Sequence, residues 1–326
     1  MKKVIGFFFF VVLSLFLLNQ SVGAVTGQDY SSWLTDFKQD ALRYGIQPST
    51  LEVALAGVKP LDWIIKLDRA QPEFTKTLDQ YLAGAVTEQR IKRGRTLLTE
   101  NSALLTRIAN KYRVQPRVLL ALWGIETSFG RHTGKIPVVA ALVTLAYDGR
   151  RSQYFRTELL QALKIIDQGF ISSRQMLGSW AGAMGQVQFM PSTYLNFAVD
   201  GDDDGHIDLW NSRADYLSSA ANYLLRSGWD HNYTWGREVA LTKKIAENEF
   251  GLKQQRPLQD WQKLGVRTIE LQPLPKVDIK ASLIQPDGPQ GKTFLVYDNY
   301  RVLLKWNRSH RFAVAVGTLA DRLIAR

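Results

Sequence analysis

The stretch Ala121–Gly130, Ala-Leu-Trp-Gly-Ile-Glu-Thr-Ser-Phe-Gly, carries one charge, Glu126, directly after the apolar run Val118–Ile125. Apolar residues recur there at helical spacing, which predicts the end of a buried helix, and Gly130 falls where a helix C-cap is expected. A carboxyl group in that setting is costly to ionise, so we expect its pKa to be raised towards neutrality, as a general acid requires. A structural Glu satisfied by backbone groups or by an Arg is the alternative.

The N-terminal segment predicts export. Met1-Lys2-Lys3 is followed by the apolar run Val4–Leu18 and by the small residues Val22-Gly23-Ala24, which is the pattern of a signal peptide cleaved after Ala24. A permanent N-terminal anchor is the alternative, and the cleavage motif argues against it. The chain has no cysteine, which excludes disulfides and a lipid anchor on a cysteine at the cleavage point. We therefore expect an exported protein without a stable membrane anchor.

Composition and charge limit the class of protein and partner. The chain has 326 residues, is 45% hydrophobic and 11% aromatic, and is therefore expected to be globular, with two or three domains. Its 41 Lys and Arg against 30 Asp and Glu give a net charge of +11, which favours polyanionic partners. Export argues against nucleic acid and in favour of an acidic cell-wall polymer or anionic lipid head groups. The alternative is that the charge serves only solubility.

The periodicity predicts a mainly α chain with a small β insert, an α+β class. From Tyr30 to about Arg113 the pattern is helical, and we expect core and scaffold there. Four further helical segments are predicted: Pro137–Tyr147, Tyr154–Gln168, Ser218–Arg226 and Leu303–Arg326. Three short alternating runs separated by prolines predict strands: Glu238–Leu241, Arg267–Leu271 and Phe294–Tyr297.

A segment rich in glycine, Gly178–Tyr194, has the composition of a sugar-binding wall. Glycine and alanine let a backbone approach a ligand closely, and the polar groups of Ser179, Gln186 and Gln188 offer hydrogen bonds. Trp180 and Phe189 add apolar faces, so the mix suits a sugar, which has hydroxyl edges and CH faces. The alternative is a glycine-rich loop that only packs tightly.

The acidic loop that begins at Asp200 has the pattern D-x-D-x-D-G-x-I, which is half of a calcium-binding loop. In this pattern Asp200, Asp202 and Asp204 supply carboxylates, while His206 offers its backbone carbonyl. Asn211 stands where the closing Glu usually lies, so Asp208 or Asp215 must complete the ligand shell. We expect a structural Ca²⁺ that fixes the loop, and no organic cofactor. A bare acidic turn is the alternative.

Arg150 and Arg151 form an adjacent pair at a break between two predicted helices. Arg suits bidentate recognition of carboxylates, which makes the pair a candidate for substrate binding. An ordinary solvated face is the alternative.

Four motifs in this order resemble the lytic murein transglycosylases of the B type. They are Gly124–Gly130, Ala183–Ser192, the Asp200–Trp210 loop and Ala221-Asn-Tyr223. The similarity runs from about Tyr30 to the C-terminus and implies a periplasmic peptidoglycan lyase with a lysozyme-like core. The expected segments are 1–24 signal peptide, 25–113 helical N-terminal domain, 114–235 lysozyme-like catalytic core with the calcium loop, 236–302 strand-rich insert and 303–326 C-terminal helix.

The resemblance also implies roles for individual residues. Glu126 matches the single catalytic acid and base, and Arg150 and Arg151 match a pair that contacts the stem peptide. The positions that match the saccharide cleft are Ser179, Gln188, Tyr223 and Asn307, and two cleft positions usually occupied by Tyr are Trp306 and Phe312 here. The positions that match calcium ligands are Asp200, Asp202, Asp204, His206 and Asp215, with one extra residue inserted before Asp215.

The implied reaction needs one carboxylate. Most glycosidases use two carboxylates, whereas a lytic transglycosylase closes the muramyl C6 hydroxyl onto C1 and leaves a 1,6-anhydro end on the glycan strand. A hydrolytic muramidase on the same fold would need a second carboxylate, with Asp148 or Glu158 the nearest candidates in sequence. A non-catalytic protein that binds peptidoglycan is the alternative from another class.

Overall fold

The structure, a computed structural model, describes residues 29–70 and 76–324. The predicted signal peptide, residues 1–24, lies outside the described residues. The described residues form fourteen α-helices: α1 Tyr30–Arg43, α2 Pro48–Ala54, α3 Asp62–Ala70, α4 Leu78–Ala85, α5 Glu88–Glu100, α6 Ser102–Tyr112, α7 Pro116–Thr127, α8 Val138–Tyr147, α9 Ser152–Asp167, α10 Pro191–Phe197, α11 Arg213–Arg226, α12 Leu258–Lys263, α13 Asp298–Trp306 and α14 His310–Ile324. They also form seven strands: β1 Ile136–Pro137, β2 Leu177–Gly178, β3 Gly236–Leu241, β4 Arg256–Pro257, β5 Val266–Thr268, β6 Lys280–Ile284 and β7 Thr293–Val296. The expected fold class, mainly α with a small β part, is confirmed.

The chain divides into two compact units, each built from two stretches of sequence. The first contains the described residues before 71 together with 126–222, and the second contains 76–125 and 223–324. The five segments expected from the sequence follow the chain linearly and stay a prediction. Among the described residues, no helix combines the length and the apolar character needed to cross a bilayer.

The first unit is organised around α8 and α9. Eight of the ten residues of α8 are buried, including Leu142 and Leu145, and α8 packs against α9. Helices α2 and α10 also contact α9, and α3 contacts α8. A helix that is apolar on every side belongs in a core, which is why α8 occupies the centre of this unit. The short strands β1 and β2 pair antiparallel beside it.

The second unit contains an antiparallel five-stranded sheet in the order β4-β6-β7-β3-β5. One cluster of buried side chains packs the sheet against α12, and Trp261 is its largest fully buried member. The indole Nε1 of Trp261 donates to the carbonyl of Ala281 on β6 at 2.8 Å, which satisfies the buried polar atom. In the same unit α14 packs against α4, α5 and α13.

Two differences between the structure and the expected elements have a clear physical reason. Leu303–Arg326 was expected to be one helix, but α13 ends at Trp306 and α14 begins at His310. The reason is local, because Asn307 is extended, its side chain accepts from Ser309 N at 3.0 Å, and the Ser309 hydroxyl accepts from Phe312 N at 3.3 Å. The sequence pattern also missed strand β6, whose last four residues are all buried, so the period-two alternation that marks a strand is absent.

Candidate active site

Glu126 lies in the last turn of α7 and is 4% exposed. The seven residues before it are apolar apart from Gly124, and six of them, 119–124, are buried. Burial and the negative end of the helix dipole both make a charged carboxylate costly at this position. The expected burial at a helix end is therefore present, while the expected pKa of Glu126 stays a prediction.

The backbone turns sharply after α7. Ser128, Phe129 and Gly130 have φ values of 50°, 59° and 83°, so three consecutive residues are left-handed. Thr127 braces the turn, because its hydroxyl donates to Gln186 O at 2.8 Å and accepts from Gly130 N at 3.0 Å. The φ of 83° at Gly130 favours glycine, because residues with a Cβ rarely adopt it, and a Cβ there would also lie 2.4 Å from the side-chain oxygen of Gln186. Strained backbone of this kind is frequent at functional sites.

The glycine-rich segment, which contains Gln186, belongs to the same compact unit as Glu126. Ser179 N donates to Ala183 O at 2.8 Å, and the Ser179 hydroxyl accepts from Ala183 N at 3.1 Å. The amide of Gln188 donates to Gly185 O at 2.9 Å and to Thr133 O at 3.1 Å. These two predicted site residues therefore fix the loop, and both are buried.

Glycine is required within this loop for reasons of space. A Cβ on Gly178 would lie 2.1 Å from Ala183 O, and a Cβ on Gly134 would lie 2.0 Å from Gly178 O. Tight packing, which the sequence offered as the alternative to sugar binding, is thus one function of the segment. It does not exclude sugar binding, since an accepting hydroxyl keeps a proton to donate.

Four further predicted residues lie in the second unit, around the break between α13 and α14. The rings of Tyr223 and Trp306 meet edge to face with centroids 4.9 Å apart, and Tyr223 donates its hydroxyl to Lys305 O at 2.8 Å. Burial raises the pKa of Tyr223. Asn307 is buried and shapes the break, while Phe312 is 1% exposed and contributes to packing in this conformation.

Arg150 and Arg151 converge on an acid that the sequence analysis missed. The Asp68 carboxylate on α3 accepts from Arg151 Nη2, and Arg150 Nη1 donates to Asp68 O at 2.7 Å. Asp68 follows the buried residue Ile64 by four positions, so both share one face of α3. Asp68 could have been identified from the sequence as a carboxylate on the apolar face of a predicted amphipathic helix.

The two carboxylates considered for a hydrolytic mechanism are already engaged in the first unit. Asp148 accepts from Arg69 Nη2 at 2.7 Å. Glu158 is buried and accepts from Ser192 N at 2.9 Å and from the Ser192 hydroxyl at 2.6 Å. Burial raises the pKa of Glu158, while the bonds from Ser192 and Tyr154 oppose that shift. Each of these side chains therefore makes at least one structural contact in the first unit.

The acidic loop gathers three carboxylates. Oxygens of Asp200, Asp202 and Asp204 all lie within 4.8 Å of one another. Asp200 also accepts from Gly205 N at 2.8 Å and from Asp203 N at 2.7 Å, and these backbone bonds hold the pKa of Asp200 below its usual value. Three oxygen donors at this separation fit a hard cation such as Ca²⁺.

The remaining two predicted calcium ligands have other contacts here. Asp215 is buried and accepts from Gly201 N at 2.7 Å and from Asp208 N at 2.7 Å, so it ties both ends of the acidic loop to α11. Burial raises the pKa of Asp215. His206 donates its backbone N–H to Asp204 at 2.8 Å. Whether Asp208 or Asp215 completes a metal shell stays a prediction.

Comparisons with known proteins agree with the motifs. The family model described as "Transglycosylase SLT domain" matches residues 29–321. Membrane-bound lytic murein transglycosylase B of Escherichia coli (strain K12) is 29% identical over 292 residues, which cover 86% of this chain and 79% of the relative.

Solved structures show the same likeness. SltB3 from Pseudomonas aeruginosa, in complex with NAG-anhNAM-pentapeptide, has a TM-score of 0.86 and 42% identity over 90% of this chain and 79% of its own. The Escherichia coli lytic transglycosylase Slt35, in complex with calcium, has a TM-score of 0.76 and 28% identity over 89% of this chain and 92% of its own. The lysozyme-like fold class and the enzyme class expected from the motifs are confirmed, and the chain belongs to the transglycosylase SLT domain family.

Proposed function

We propose that this protein is a lytic transglycosylase that cleaves the β-1,4 bond between N-acetylmuramic acid and N-acetylglucosamine in peptidoglycan and leaves 1,6-anhydro ends. The observation that carries the proposal is the buried acid Glu126, in the last turn of α7, within a chain that belongs to a transglycosylase family. The relative SltB3 was solved with a NAG-anhNAM-pentapeptide, whose anhydro sugar is the expected type of product.

Glu126 acts first as an acid. Its carboxyl group donates a proton to the bridging oxygen while the bond from that oxygen to the muramyl C1 breaks, so the N-acetylglucosamine leaves with a free O4 hydroxyl. The N-acetyl oxygen of the muramyl residue stabilises the positive charge that develops at C1. The protein supplies a buried site in which a proton is held until the bond breaks.

Glu126 then acts as a base. Its carboxylate takes the proton from the muramyl C6 hydroxyl, whose oxygen bonds to C1 and closes the 1,6-anhydro ring. The carboxyl group is thereby restored, and no water is consumed. One carboxylate is sufficient for both steps because the substrate itself supplies the nucleophile.

The other predicted residues bind the substrate. Ser179 and Gln188, held on the glycine-rich loop, contact sugar hydroxyls, as do Tyr223 and Asn307. Trp306 offers an aromatic face for stacking on a sugar ring. Phe312, at the other cleft position usually occupied by Tyr, keeps an aromatic ring without the phenolic hydroxyl. A side chain of the pair Arg150 and Arg151 contacts the stem peptide. The partners are thus glycan strands and their peptides, and nucleic acid and a stable membrane anchor have no part in this function.

A cation and an export signal complete the proposal. The carboxylates of Asp200, Asp202 and Asp204, with His206 and Asp215 from the same loop region, would hold a Ca²⁺ that fixes the loop and has no part in the chemistry. Calcium was present in the structure of the relative Slt35. Residues 1–24 direct the protein to the periplasm, where peptidoglycan lies.

Mass spectrometry of the muropeptides released from sacculi tests the function. Lytic transglycosylase products are lighter than muramidase products by one water and have no reducing muramic acid end. Products that carry reducing muramic acid would replace the proposal with the hydrolytic alternative. Binding to sacculi without any fall in turbidity would replace it with the non-catalytic one.

A further inference from the structure

The contacts of Asp68 show that Arg150 and Arg151 are not equivalent. The Asp68 side chain is 1% exposed. A buried carboxylate is strongly destabilising unless a cation and hydrogen bonds compensate it. Arg151 Nη2 supplies the hydrogen bond to Oδ1, and Arg150 Nη1 lies 3.4 Å from Oδ2. Asp68 is therefore the centre of a small ion cluster between α3 and the start of α9.

Arg151 is committed to the fold. Its side chain is 19% exposed, and its guanidinium carbon lies 5.0 Å from the centroid of the Phe155 ring. Burial lowers the pKa of Arg151. Its backbone has a φ of 58°, a left-handed conformation that a residue with a Cβ rarely adopts and that the surrounding contacts must enforce. Arg151 thus serves as the counter-ion of Asp68.

Arg150 is held but remains accessible. Its side chain is 41% exposed, and both of its contacts with Asp68 use the same nitrogen, Nη1. A guanidinium has five N–H donors in a fork, so Nε and Nη2 remain for a bidentate contact with a carboxylate. Anchoring one side of the fork reduces the side-chain entropy that is lost when a ligand binds.

We infer that Asp68 is a positioning residue, that Arg151 is its structural counter-ion, and that Arg150 alone binds a carboxylate of the stem peptide. This inference rests on the proposed function, because the peptide is part of the peptidoglycan substrate. The turn at Gly149, with a φ of 84°, lets the two adjacent side chains converge on the same acid.

The test compares two substrates, glycan strands that carry stem peptides and strands stripped of them by an amidase. For each variant the kcat and KM of anhydro-product release are measured at 25 °C. Arg150→Ala is expected to raise KM about ten-fold more for peptide-bearing strands than for stripped strands, which is the size expected for loss of a charge-assisted contact. Its Tm should fall by less than that of an Arg151 variant, because Arg151 makes the hydrogen bond to the buried carboxylate whereas Arg150 is partly exposed.

Variants of Arg151 and Asp68 distinguish a role in positioning Arg150 from a role in stabilising the fold. Arg151→Lys keeps the positive charge but loses the planar guanidinium group. It should therefore lower the Tm by several degrees and leave unchanged the ratio of KM for peptide-bearing strands to KM for stripped strands. Asp68→Asn should also lower the Tm, and in addition it should raise that ratio at least three-fold. Arg150 keeps its bond to the backbone carbonyl of residue 68 but loses the ion pair with Oδ2 that fixes its orientation.

Asp167→Asn is the matched control. Asp167 is a carboxylate of the same unit that accepts from Gln47 N at 3.1 Å and from the Thr50 hydroxyl at 2.5 Å, with no Arg in the cluster. The Asp167→Asn variant should lower the Tm without changing the ratio of the two KM values. If Asp68→Asn behaves like Asp167→Asn, Asp68 has only a structural role and the inference is wrong.

Two further outcomes overturn the inference. The first is that Arg150→Ala raises both KM values equally, and the second is that Arg151→Lys carries the peptide-specific loss. Failure of the proposed function is recognised separately, because the wild type would then release reducing ends or no product at all.

Discussion

Glu126 has the setting that single-acid catalysis requires, since it is a buried carboxyl group in the last turn of α7, directly after the apolar run Val118–Ile125. Glu126→Gln keeps the shape of the side chain and removes the transferable proton. We expect release of anhydro-muropeptides to fall by about 10²–10⁴-fold, the range for loss of a general acid and base. Measurement is by chromatography of digests of purified sacculi.

The Tm and the binding to sacculi should change little in the same variant, because a neutral amide replaces a carboxyl group of equal size. A Gln variant that digests sacculi at the wild-type rate would exclude Glu126 as the acid. If Glu126→Gln loses activity because it does not fold, Glu126→Asp is the second variant to measure. Its carboxyl group keeps the proton but lies one methylene further from the substrate.

Glu158 predicts a pH dependence of stability. Burial raises the pKa of Glu158 in the folded state above the ordinary value of 4.5. Below pH 4.5 both folded and unfolded states hold the proton. As the pH rises, the unfolded state ionises first, so the free energy of unfolding falls until the pH passes the raised folded pKa, and it is constant thereafter.

Glu158→Gln should remove this fall, since an amide does not titrate. Urea unfolding midpoints at intervals between pH 4 and pH 8 measure the effect as the difference between wild type and variant. Ser192→Ala is the control, because loss of the hydroxyl bond to Glu158 should raise the folded pKa further and extend the fall to higher pH. A variant curve parallel to the wild-type curve would contradict this assignment.

At the scale of single elements, two helical glycines predict opposite responses. Gly317 lies inside α14, where a Cβ would be 2.2 Å from ring carbons of Trp235. Gly317→Ala should therefore destabilise the protein by roughly 1–3 kcal/mol through overpacking, in spite of the better helix propensity of Ala. Gly84 in α4 has nothing within 4 Å of its Cβ position, so Gly84→Ala should be neutral or stabilise by up to about 1 kcal/mol.

Urea denaturation of the two variants gives both values under the same conditions. The pair controls for the entropy of the unfolded chain, which the same substitution changes equally at either site. If both variants shift the midpoint in one direction, the close approach of Trp235 to α14 is wrong.

The acidic loop predicts stabilisation by calcium. Three converging carboxylates repel one another without a cation, so Ca²⁺ at about 100 times its Kd should raise the free energy of unfolding by about 2.7 kcal/mol. Differential scanning calorimetry with Ca²⁺ or a chelator measures the corresponding rise in Tm. Asp202→Asn should weaken the response, and Mg²⁺ should substitute poorly because it demands a smaller octahedral site. An unchanged Tm would favour the bare acidic turn.

The helices could be predicted from the sequence where periodicity was strong, as in α8, but the break between α13 and α14 depended on Asn307 and Ser309. Their polar side chains bond to the nearby backbone and so end one helix and begin the next. Asp68 and Arg151 could not be paired from the sequence, because they are 83 residues apart and no local spacing connects them. Glu126 was identifiable because its apolar neighbours are adjacent in the chain.

At the scale of the whole molecule, the division into two compact units could not be predicted from the order of patterns along the sequence. Changes of composition mark boundaries between consecutive segments, whereas each compact unit is assembled from two separate stretches. Of the residues predicted to contact the saccharide, Ser179 and Gln188 belong to the first unit, and Tyr223, Trp306 and Asn307 belong to the second. A motif search finds such residues one at a time, and only the folded chain assigns them to their units.

The net charge of +11 predicts that binding to the wall depends on salt. Attraction between exposed charges is screened over about 10 Å at 0.1 M ionic strength and about 3 Å at 1 M. The Kd of Glu126→Gln for purified sacculi, which that variant does not digest, should therefore rise at least about ten-fold between low and high salt in a sedimentation assay. Chitin, an uncharged polymer of N-acetylglucosamine, is the control ligand, and binding to it should change little because hydrogen bonds and stacking dominate there. Equal salt dependence for both polymers, or none for either, would mean that the positive charge serves solubility alone.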